Sequence, residues 1–155
     1  MARKNFQIDL VANKKAYFDY EIIEKFEAGI VLTGLEVKSL KQSQASLNGA
    51  YVVIKNHQAF LLNATISPYQ PANTPSNYQP QATRKLLLKR QEIESLSRKT
   101  HEHGLTLIPL KVYNKNGLLK LEFALVKGKK KFDKRETIKK REGQRKIEKA
   151  QKGIY

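Results

Sequence analysis

The sequence has no cysteine and no tryptophan, and it has few acidic residues for its size. Its 155 residues include 30 Lys and Arg against 14 Asp and Glu, which gives a formal net charge of +16. Without cysteine there is neither a disulfide framework nor a thiolate metal site. A chain with this excess of positive charge repels itself, and the charge density of nucleic acid makes a nucleic acid its natural partner.

Long apolar runs are also missing. No stretch of 18 consecutive apolar residues occurs, and residues 1–15 lack the continuous apolar segment of a secretory signal peptide. These absences argue against a secreted or membrane-spanning protein and favour a reducing, cytoplasmic location. Polybasic segments also bind anionic lipid, but such binding usually requires an amphipathic face or a lipid anchor, and neither is visible.

Patterns typical of catalysis or metal binding are absent. A pair of glycines ending at Gly34 has the spacing of a P-loop, but Leu35 and Glu36 follow where Lys and Ser or Thr are required. His101 and His103 are two residues apart in a predicted helix, so they point to different faces and argue against a zinc site. We find no nucleophile elbow and no acid–base constellation. We therefore expect a protein that is not an enzyme and that uses no cofactor and no metal.

The body of the chain, residues 1–126, alternates short strand-like segments with two helix-like ones. A 17-residue loop, 67–83, holds four of the five prolines. Helices are predicted over 35–42 and 90–103, the second with Gly104 as its C-cap. Hairpin turns are expected at 55–58 and 114–117. The strand-like or apolar segments are 6–11, 21–23, 29–33, 50–54, 59–63, 106–113 and 118–126. This pattern predicts a mainly β fold, with an OB-like antiparallel barrel as the leading candidate.

The remaining segment, residues 127–155, is a basic tail with 13 Lys and Arg against four acidic residues. Asp133 and Glu136 have the spacing of a helix N-cap and its N3 partner. Ile138 and Ile147 fall on opposite sides of a helix, so the helix has no apolar stripe to bury. We expect this tail to be disordered when free and helical on an anionic partner. Three acid-first i,i+4 pairs support the helix: Glu136–Lys140, Glu142–Lys146 and Glu148–Lys152.

One stretch of the body mixes cations with aromatic residues. Lys14 and Lys15 precede Tyr17 and Phe18, a combination that would supply both phosphate pairing and base stacking to an RNA. Aromatic residues of the core would look the same in the sequence. Both interpretations stay open on the residues alone.

A second stretch, residues 84–90, places basic pairs on both sides of three leucines. The simplest interpretation is that the leucines enter the core while the cations stay exposed. If the body binds RNA, however, the same cations, Arg84, Lys85 and Lys89, would be fixed on a rigid element.

In the tail, Phe132 has no core to join, which favours stacking on a base.

The chain resembles the family of bacterial tmRNA-binding proteins, known as small protein B, which act with transfer-messenger RNA (tmRNA) to rescue stalled ribosomes. The likeness extends from about residue 13 to about residue 142. The segments that carry it are FEAGIVLTGLEVKSL (26–40), ISPY (66–69), RKLLL (84–88), GLTLIPL (104–110) and GKKKFDKRETIKKRE (128–142).

For the body, this resemblance implies an OB-fold barrel that binds the tRNA-like domain of tmRNA. Glu27 and the RKLLL segment with Leu87 would lie on the face that meets the RNA. The family works without catalysis or a cofactor, as a monomer, and elongation factor Tu belongs to the delivery complex.

For the tail, the resemblance implies a role inside the ribosome. Residues 129–130 would lead into the decoding centre, 133–135 would take the place of a codon–anticodon helix, and the following helix would occupy the vacant mRNA channel. The tail residues assigned in this way are Gly128, Lys129, Lys130, Phe132, Asp133, Lys134, Arg135, Lys139 and Arg141.

Two other classes of protein remain as alternatives. A ribosomal or general RNA-binding OB protein would explain the charge, but not the capped tail or the family motifs. An RNA-modifying enzyme would need a catalytic constellation that the sequence lacks.

Overall fold

The computed structural model describes residues 6–102, 104–129, 135 and 138–146. The strands in this part of the chain are β1 (Gln7–Ala12), β2 (Tyr20–Ile30), β3 (Ala45–Ser46), β4 (Tyr51–Lys55), β5 (Gln58–Leu62), β6 (Thr65–Ile66), β7 (Arg84–Leu87), β8 (Leu105–Lys115) and β9 (Leu118–Gly128). The helices are α1 (Lys14–Asp19), α2 (Gly34–Lys41), α3 (Arg90–Thr100), a 3₁₀ turn (Pro71–Asn73) and a tail helix (residues 138–146).

Antiparallel pairing closes the larger sheet into a barrel. The strands follow the order β4-β5-β7-β2-β9-β8, and β8 returns to β4 through the pair Val52 and Leu107. β1 pairs with the other half of β8, so β8 contacts three strands. Closure leaves few exposed strand edges, which is the advantage of a small barrel. The mainly β fold with an OB-like barrel is therefore confirmed.

Successive side chains of a strand point alternately into and out of the barrel, and this alternation decides which of them fill the interior. In β7, Arg84 and Leu86 are buried while Lys85 and Leu87 face solvent. Phe123 of β9 is completely buried inside the barrel. The interior is mostly apolar, with Arg84 as a buried exception, and most polar side chains lie on the outer surface, where a partner can reach them.

A second, smaller core lies between α1 and the strands β8 and β9. Asn13 fixes the start of this helix, because its Oδ1 accepts a hydrogen bond from the Ala16 amide at 3.2 Å. The Nδ2 of the same side chain donates to the carbonyl of Pro109 at 3.0 Å, which ties the helix to β8. The buried residues of this second core are Ala16, Ile108, Leu110, Ala124 and Val126.

The two predicted hairpins are confirmed. Asn56 and His57 join β4 to β5 with φ of 51° and 59°, and Asn116 and Gly117 join β8 to β9 with φ of 53° and 86°. Two consecutive residues with positive φ match the twist of the flanking strands. The helix predicted over 35–42 is confirmed as α2.

Four details of the sequence prediction are wrong. β2 is one continuous strand where two short segments were expected. Exposed charged residues interrupt its apolar pattern in the sequence, whereas its pairing with β9 runs along nearly the whole strand. The helix α1 was not predicted, since it is a single short helix with one buried side chain. The helix α3 ends at Thr100, and Gly104, with φ of 82°, lies in the turn that follows. β9 ends at Gly128, two residues beyond the end predicted for that strand.

Candidate nucleic-acid interface

Glu27 lies on the outer face of β2, and its carboxylate is held from two sides. The Tyr113 hydroxyl donates a hydrogen bond to Oε2 of Glu27, and the Lys115 ammonium lies 3.4 Å from the same oxygen. The hydrogen bond from Tyr113 is the main reason why the pKa of Glu27 is lowered, with further help from Lys115 and Lys120 against the opposing effect of partial burial. The side chain is still 42% exposed, so a partner can reach it.

Tyr113 is the fixed donor of this arrangement. It is almost fully buried, and this burial is the first reason why the pKa of its hydroxyl is raised well above its ordinary value. The neighbouring Glu27 carboxylate raises the pKa further. The hydroxyl therefore stays protonated and keeps donating to Glu27 over the whole physiological range.

Charges of both signs surround Glu27 on the same face. The Lys111 ammonium lies 3.5 Å from Asp9 and 3.6 Å from Glu122, and the Lys25 ammonium lies 3.5 Å from Glu122. Surface pairs of this kind contribute only about 0–1 kcal/mol each to stability. Their effect is to fix a pattern of donors and acceptors on the surface.

Strand register places Leu87 next to Glu27. Leu87 is paired with Gly29, which is two residues from Glu27 on β2 and therefore faces the same side. A side chain at Gly29 would bring its Cβ to 3.2 Å from the Cβ of Leu87, so the glycine makes room for this leucine. Leu87 is 55% exposed although it is a large apolar residue in a strand. The two residues expected at the RNA face are thus brought together.

Lys85 extends this strip of surface along β7. It is exposed and is paired with Phe60 of β5, so its side chain lies on the same outer face as Leu87. Lys89 follows β7 and is also exposed, at the N-cap position of α3. The outer face of β2 and β7 therefore carries an acceptor (Glu27), an apolar side chain (Leu87) and a cation (Lys85), and a second exposed cation (Lys89) follows β7.

Arg84 is not part of this surface. Its side chain is 3% exposed, and its Nε lies 2.6 Å from Oε2 of the equally buried Glu36. The remaining guanidinium nitrogens donate to the carbonyls of Ala64 and Pro80 at 2.8 and 2.9 Å. The expectation that Arg84 faces an RNA is wrong, and so is the interpretation that every cation of this segment stays exposed. The guanidinium is used inside the protein, where its donors meet acceptors.

Lys14 and Lys15 are exposed on α1, but α1 lies at the other end of β2. Tyr17 of this helix is 39% exposed, and the Lys25 ammonium lies 5.9 Å from the centre of its ring. The body residues selected from the sequence are therefore divided between two places on the barrel. One is the face with Glu27 and Leu87, and the other is the surface of α1.

The tail begins beside α1. Gly128, the last residue of β9, is paired with Tyr20, and the Lys129 amide donates to the carbonyl of Asp19 at 3.0 Å. The Lys129 ammonium also donates to the carbonyl of Tyr17, at 3.1 Å, near the end of the helix. A cation is favourable at a helix C-terminus. The root of the tail is thus fixed to the body.

The described part of the tail is helical at residue 135 and over 138–146. Arg135 and Lys139 are exposed, and the Arg141 guanidinium lies 5.9 Å from the centre of the Phe18 ring. Ile138 is 42% exposed, as expected for a helix without an apolar stripe. The predicted cap at Asp133 and the contacts expected of Lys130, Phe132 and Lys134 lie outside the described residues. That the free tail is disordered stays a prediction.

The sequence interpretation missed Tyr113, Lys115 and Lys120. All three lie on the β8–β9 hairpin, in a pattern where polar and apolar residues alternate. That alternation predicts a strand with one outer polar face. It does not reveal that this face meets Glu27, because the pairing of β2 with β9 joins residues about a hundred positions apart.

Among the described residues, no group of His, Asp and Glu is arranged to hold a metal ion. No helix in the same residues has the length and apolarity to cross a membrane.

Comparison with known proteins gives the family of this chain. A family model described as SmpB protein matches residues 10–153. The chain belongs to the SmpB family. A relative from Sulfurihydrogenibium sp. (strain YO3AOP1), named SsrA-binding protein, is 50% identical over 144 residues, covering 93% of this chain and 94% of the relative. A second SsrA-binding protein, from Nostoc punctiforme (strain ATCC 29133 / PCC 73102), is 48% identical over 153 residues. The match covers 98% of this chain and 99% of the relative.

A solved structure supports the same family. It is described as "tmRNA-SmpB: a journey to the center of the bacterial ribosome", and one of its chains is 37% identical to this one. The TM-score is 0.65, and the match covers 83% of this chain and 87% of that chain. The SmpB fold therefore accounts for most of this chain.

Proposed function

We propose that this chain binds the tRNA-like domain of tmRNA, also called SsrA, and delivers it to stalled ribosomes for rescue by trans-translation. The observation that carries this proposal is the identity of about half of all residues, over nearly the whole chain, with proteins named SsrA-binding protein. That name describes binding and no reaction. The function is therefore the recognition of an RNA, without catalysis and without a cofactor.

In the body, the face with Glu27 and Leu87 is the proposed contact with the tRNA-like domain. Glu27 is an acceptor in a fixed position, suited to base donors or a ribose hydroxyl. Leu87 offers an apolar contact to an exposed base or sugar. Lys85, Lys89 and Lys115 lie nearby to pair with phosphates. An acidic residue among cations contributes specificity, because it repels phosphates that arrive in the wrong place.

The tail is the proposed ribosomal element. The helix over 138–146 has exposed cations and no apolar stripe, so it suits a channel lined by RNA phosphates and not a protein groove. Residues 133–135 would replace the codon–anticodon helix in the decoding centre, as the family resemblance implies. The division of labour lies near residues 126–128, where β9 ends and the tail begins.

Partners and location follow from the same proposal. The RNA, the small ribosomal subunit and elongation factor Tu would form the delivery complex around a single copy of this chain. A ribosomal partner implies a cytoplasmic location.

The test is a reconstituted translation reaction on an mRNA without a stop codon, supplied with charged tmRNA. Addition of this protein should produce peptides that carry the tmRNA-encoded tag, and omission of the protein should leave the ribosomes stalled. In parallel, tmRNA should compete better for the protein than a structured RNA of equal length. A general RNA-binding protein would bind both RNAs equally and would produce no tag, which would overturn the proposal.

A further inference from the structure

The β4–β5 hairpin carries a groove of about 410 Å³ on the outer side of the barrel. This volume is in the range of sites for small ligands or single groups of a larger ligand. The groove lies beside β7, and neither Glu27 nor Leu87 contributes to its lining. The residues that line it are Val53, Lys55, Asn56, Gln58, Phe60, Leu62 and Thr83.

Phe60 is a large apolar residue that points out of the barrel. Its neighbours on β5, Ala59 and Leu61, are buried in the main core, so Phe60 lies on the opposite side of the sheet. Val53, its partner on β4, and Leu62, two residues further along β5, share this outer side. All three apolar side chains are only partly buried. A contiguous apolar patch on an outer face indicates a contact with a partner.

The strands that form the groove carry cations and no acidic residue. No Asp or Glu occurs between Glu36 and Glu92, a stretch that contains β4, β5 and β7. Lys55 lines the groove, and Lys85 borders it as the partner of Phe60 on β7. Both lysines are exposed. This surface attracts an anionic partner, and the net charge of +16 opposes the docking of a second copy of the chain.

We propose that the groove binds one unpaired nucleotide of an RNA, with its base stacked on Phe60 and the flanking phosphates beside Lys55 and Lys85. An aromatic ring between cations is the combination with which proteins bind unpaired bases. The exposed amides of Asn56 and Gln58 lie in the same lining and supply donors and acceptors for the polar edge of the base.

The groove continues the face with Glu27 and Leu87. Lys85 and Leu87 are two residues apart on β7, so both side chains lie on the outer face. β5 and β2 lie on either side of β7, two strand spacings or about 10 Å apart. One folded RNA can therefore contact Glu27, Leu87 and the groove together. The inference rests on the proposed function in that this RNA is tmRNA.

The first test uses the full chain and a pentaribonucleotide with 2-aminopurine at its centre, compared with the same oligonucleotide without the central base. Both carry the same phosphates, so the basic tail attracts both equally. The wild-type protein should bind the base-containing form at least about fivefold more tightly, since stacking on an aromatic side chain contributes that much per base. In an NMR titration with this form, the amides of Lys55, Gln58 and Thr83 should shift.

Variants at Phe60 then separate stacking from packing. Phe60→Leu keeps an apolar side chain and should abolish the preference for the base-containing oligonucleotide. Phe60→Tyr keeps an aromatic ring and should retain the preference. Phe6→Leu is the matched control, because it removes an exposed phenylalanine that lies outside the groove, and the preference should be unchanged. Thermal melting checks that each variant is folded.

A second pair of variants leaves the apolar residues intact. Lys55→Ala should weaken binding of both oligonucleotides by the same factor, because it removes a cation beside the phosphates. Lys41→Ala removes an equally exposed lysine from the last turn of α2 and should have a smaller effect. Equal effects of the two substitutions would contradict the position of the phosphates.

The affinity for folded tmRNA is measured with the same proteins. Phe60→Leu should bind tmRNA at least about fivefold more weakly than wild type, and Phe60→Tyr should bind it nearly as well as wild type. Equal binding of the two oligonucleotides by the wild-type protein would overturn the proposal. So would an unchanged base preference, or an unchanged affinity for tmRNA, in the Phe60→Leu variant. Tagging of stalled ribosomes by the wild-type protein would in those cases leave the proposed function intact.

Discussion

The guanidinium of Arg84 and the carboxylate of Glu36 form an ion pair 2.6 Å long inside the protein, where both side chains are more than nine-tenths buried. Glu36 also accepts the Thr33 amide at 3.0 Å and so completes the capping box of α2. Arg84 reaches the carbonyls of Ala64 and Pro80 as well. One ion pair thus joins β7, the start of α2 and the proline-rich loop.

Removing one partner of this pair should destabilise the protein strongly. Arg84→Met leaves a buried carboxylate without its cation, which costs about 3–5 kcal/mol. Lys85→Met, the exposed neighbour on the same strand, should change the free energy of unfolding by less than about 0.5 kcal/mol. Urea denaturation of both variants measures the difference. Equal stabilities would show that the pair has no structural role.

Neighbouring leucines of β7 provide a matched test of the RNA face. Leu86 is buried in the barrel and Leu87 is 55% exposed. Leu86→Ala should cost about 2–5 kcal/mol of stability. Leu87→Ala should leave the free energy of unfolding nearly unchanged and should lower the affinity for tmRNA. Denaturation and RNA-binding titrations measure the two effects. A Leu87→Ala protein with normal affinity would remove this residue from the interface.

The Tyr113–Glu27 hydrogen bond should be visible in the pH dependence of stability. The pKa of Glu27 is lowered in the folded state, so its contribution is present above the pKa of the unfolded chain and is lost as the pH falls through the folded value. Tyr113→Phe should therefore destabilise the protein at neutral pH, and the difference from wild type should shrink on acidification. An NMR titration should also place the pKa of Glu27 higher in this variant.

The control for this experiment is Tyr17→Phe, which removes the hydroxyl of a more exposed tyrosine on α1. The pKa of Glu27 should be unchanged in this protein. If the pKa of Glu27 rose in both variants, or in neither, the hydrogen bond from Tyr113 to Glu27 would be contradicted.

Much of the fold is predictable because its signals are local. The turn at Asn116 and Gly117 and the helix α2 depend on neighbouring residues, and both were predicted within a residue or two. The strand β2 was divided because its charged residues interrupt the apolar pattern. Its continuity comes from pairing with β9, and no local signal reports a partner so distant in the sequence.

In the candidate site, too, local patterns were predictable from the sequence and contacts between distant residues were not. Glu27 and Leu87 were selected through the family motifs, but their proximity depends on the pairing of Gly29 with Leu87. Arg84 was misplaced because a basic residue in a strand is usually exposed. Its buried partner, Glu36, is 48 residues earlier in the chain, and no local pattern in the sequence reports that pairing.

Helical structure in the tail should be necessary for rescue. Ile138→Pro keeps the net charge and should cost the helix about 3 kcal/mol. Ile138→Ala removes the same exposed side chain but favours the helix. The first variant should lose tagging on stalled ribosomes, and the second should keep it. Wild-type tagging by the proline variant would mean that charge alone is sufficient.

The most direct test of the account is a chain truncated after Lys129, which keeps all of β9 and the contact of Lys129 with Asp19. Its affinity for tmRNA and its tagging activity on stalled ribosomes are measured together. We expect binding within about tenfold of wild type, because the body face is complete, and no tagging, because the tail is missing. Loss of tmRNA binding, or tagging at the wild-type rate, would contradict the division of function between body and tail.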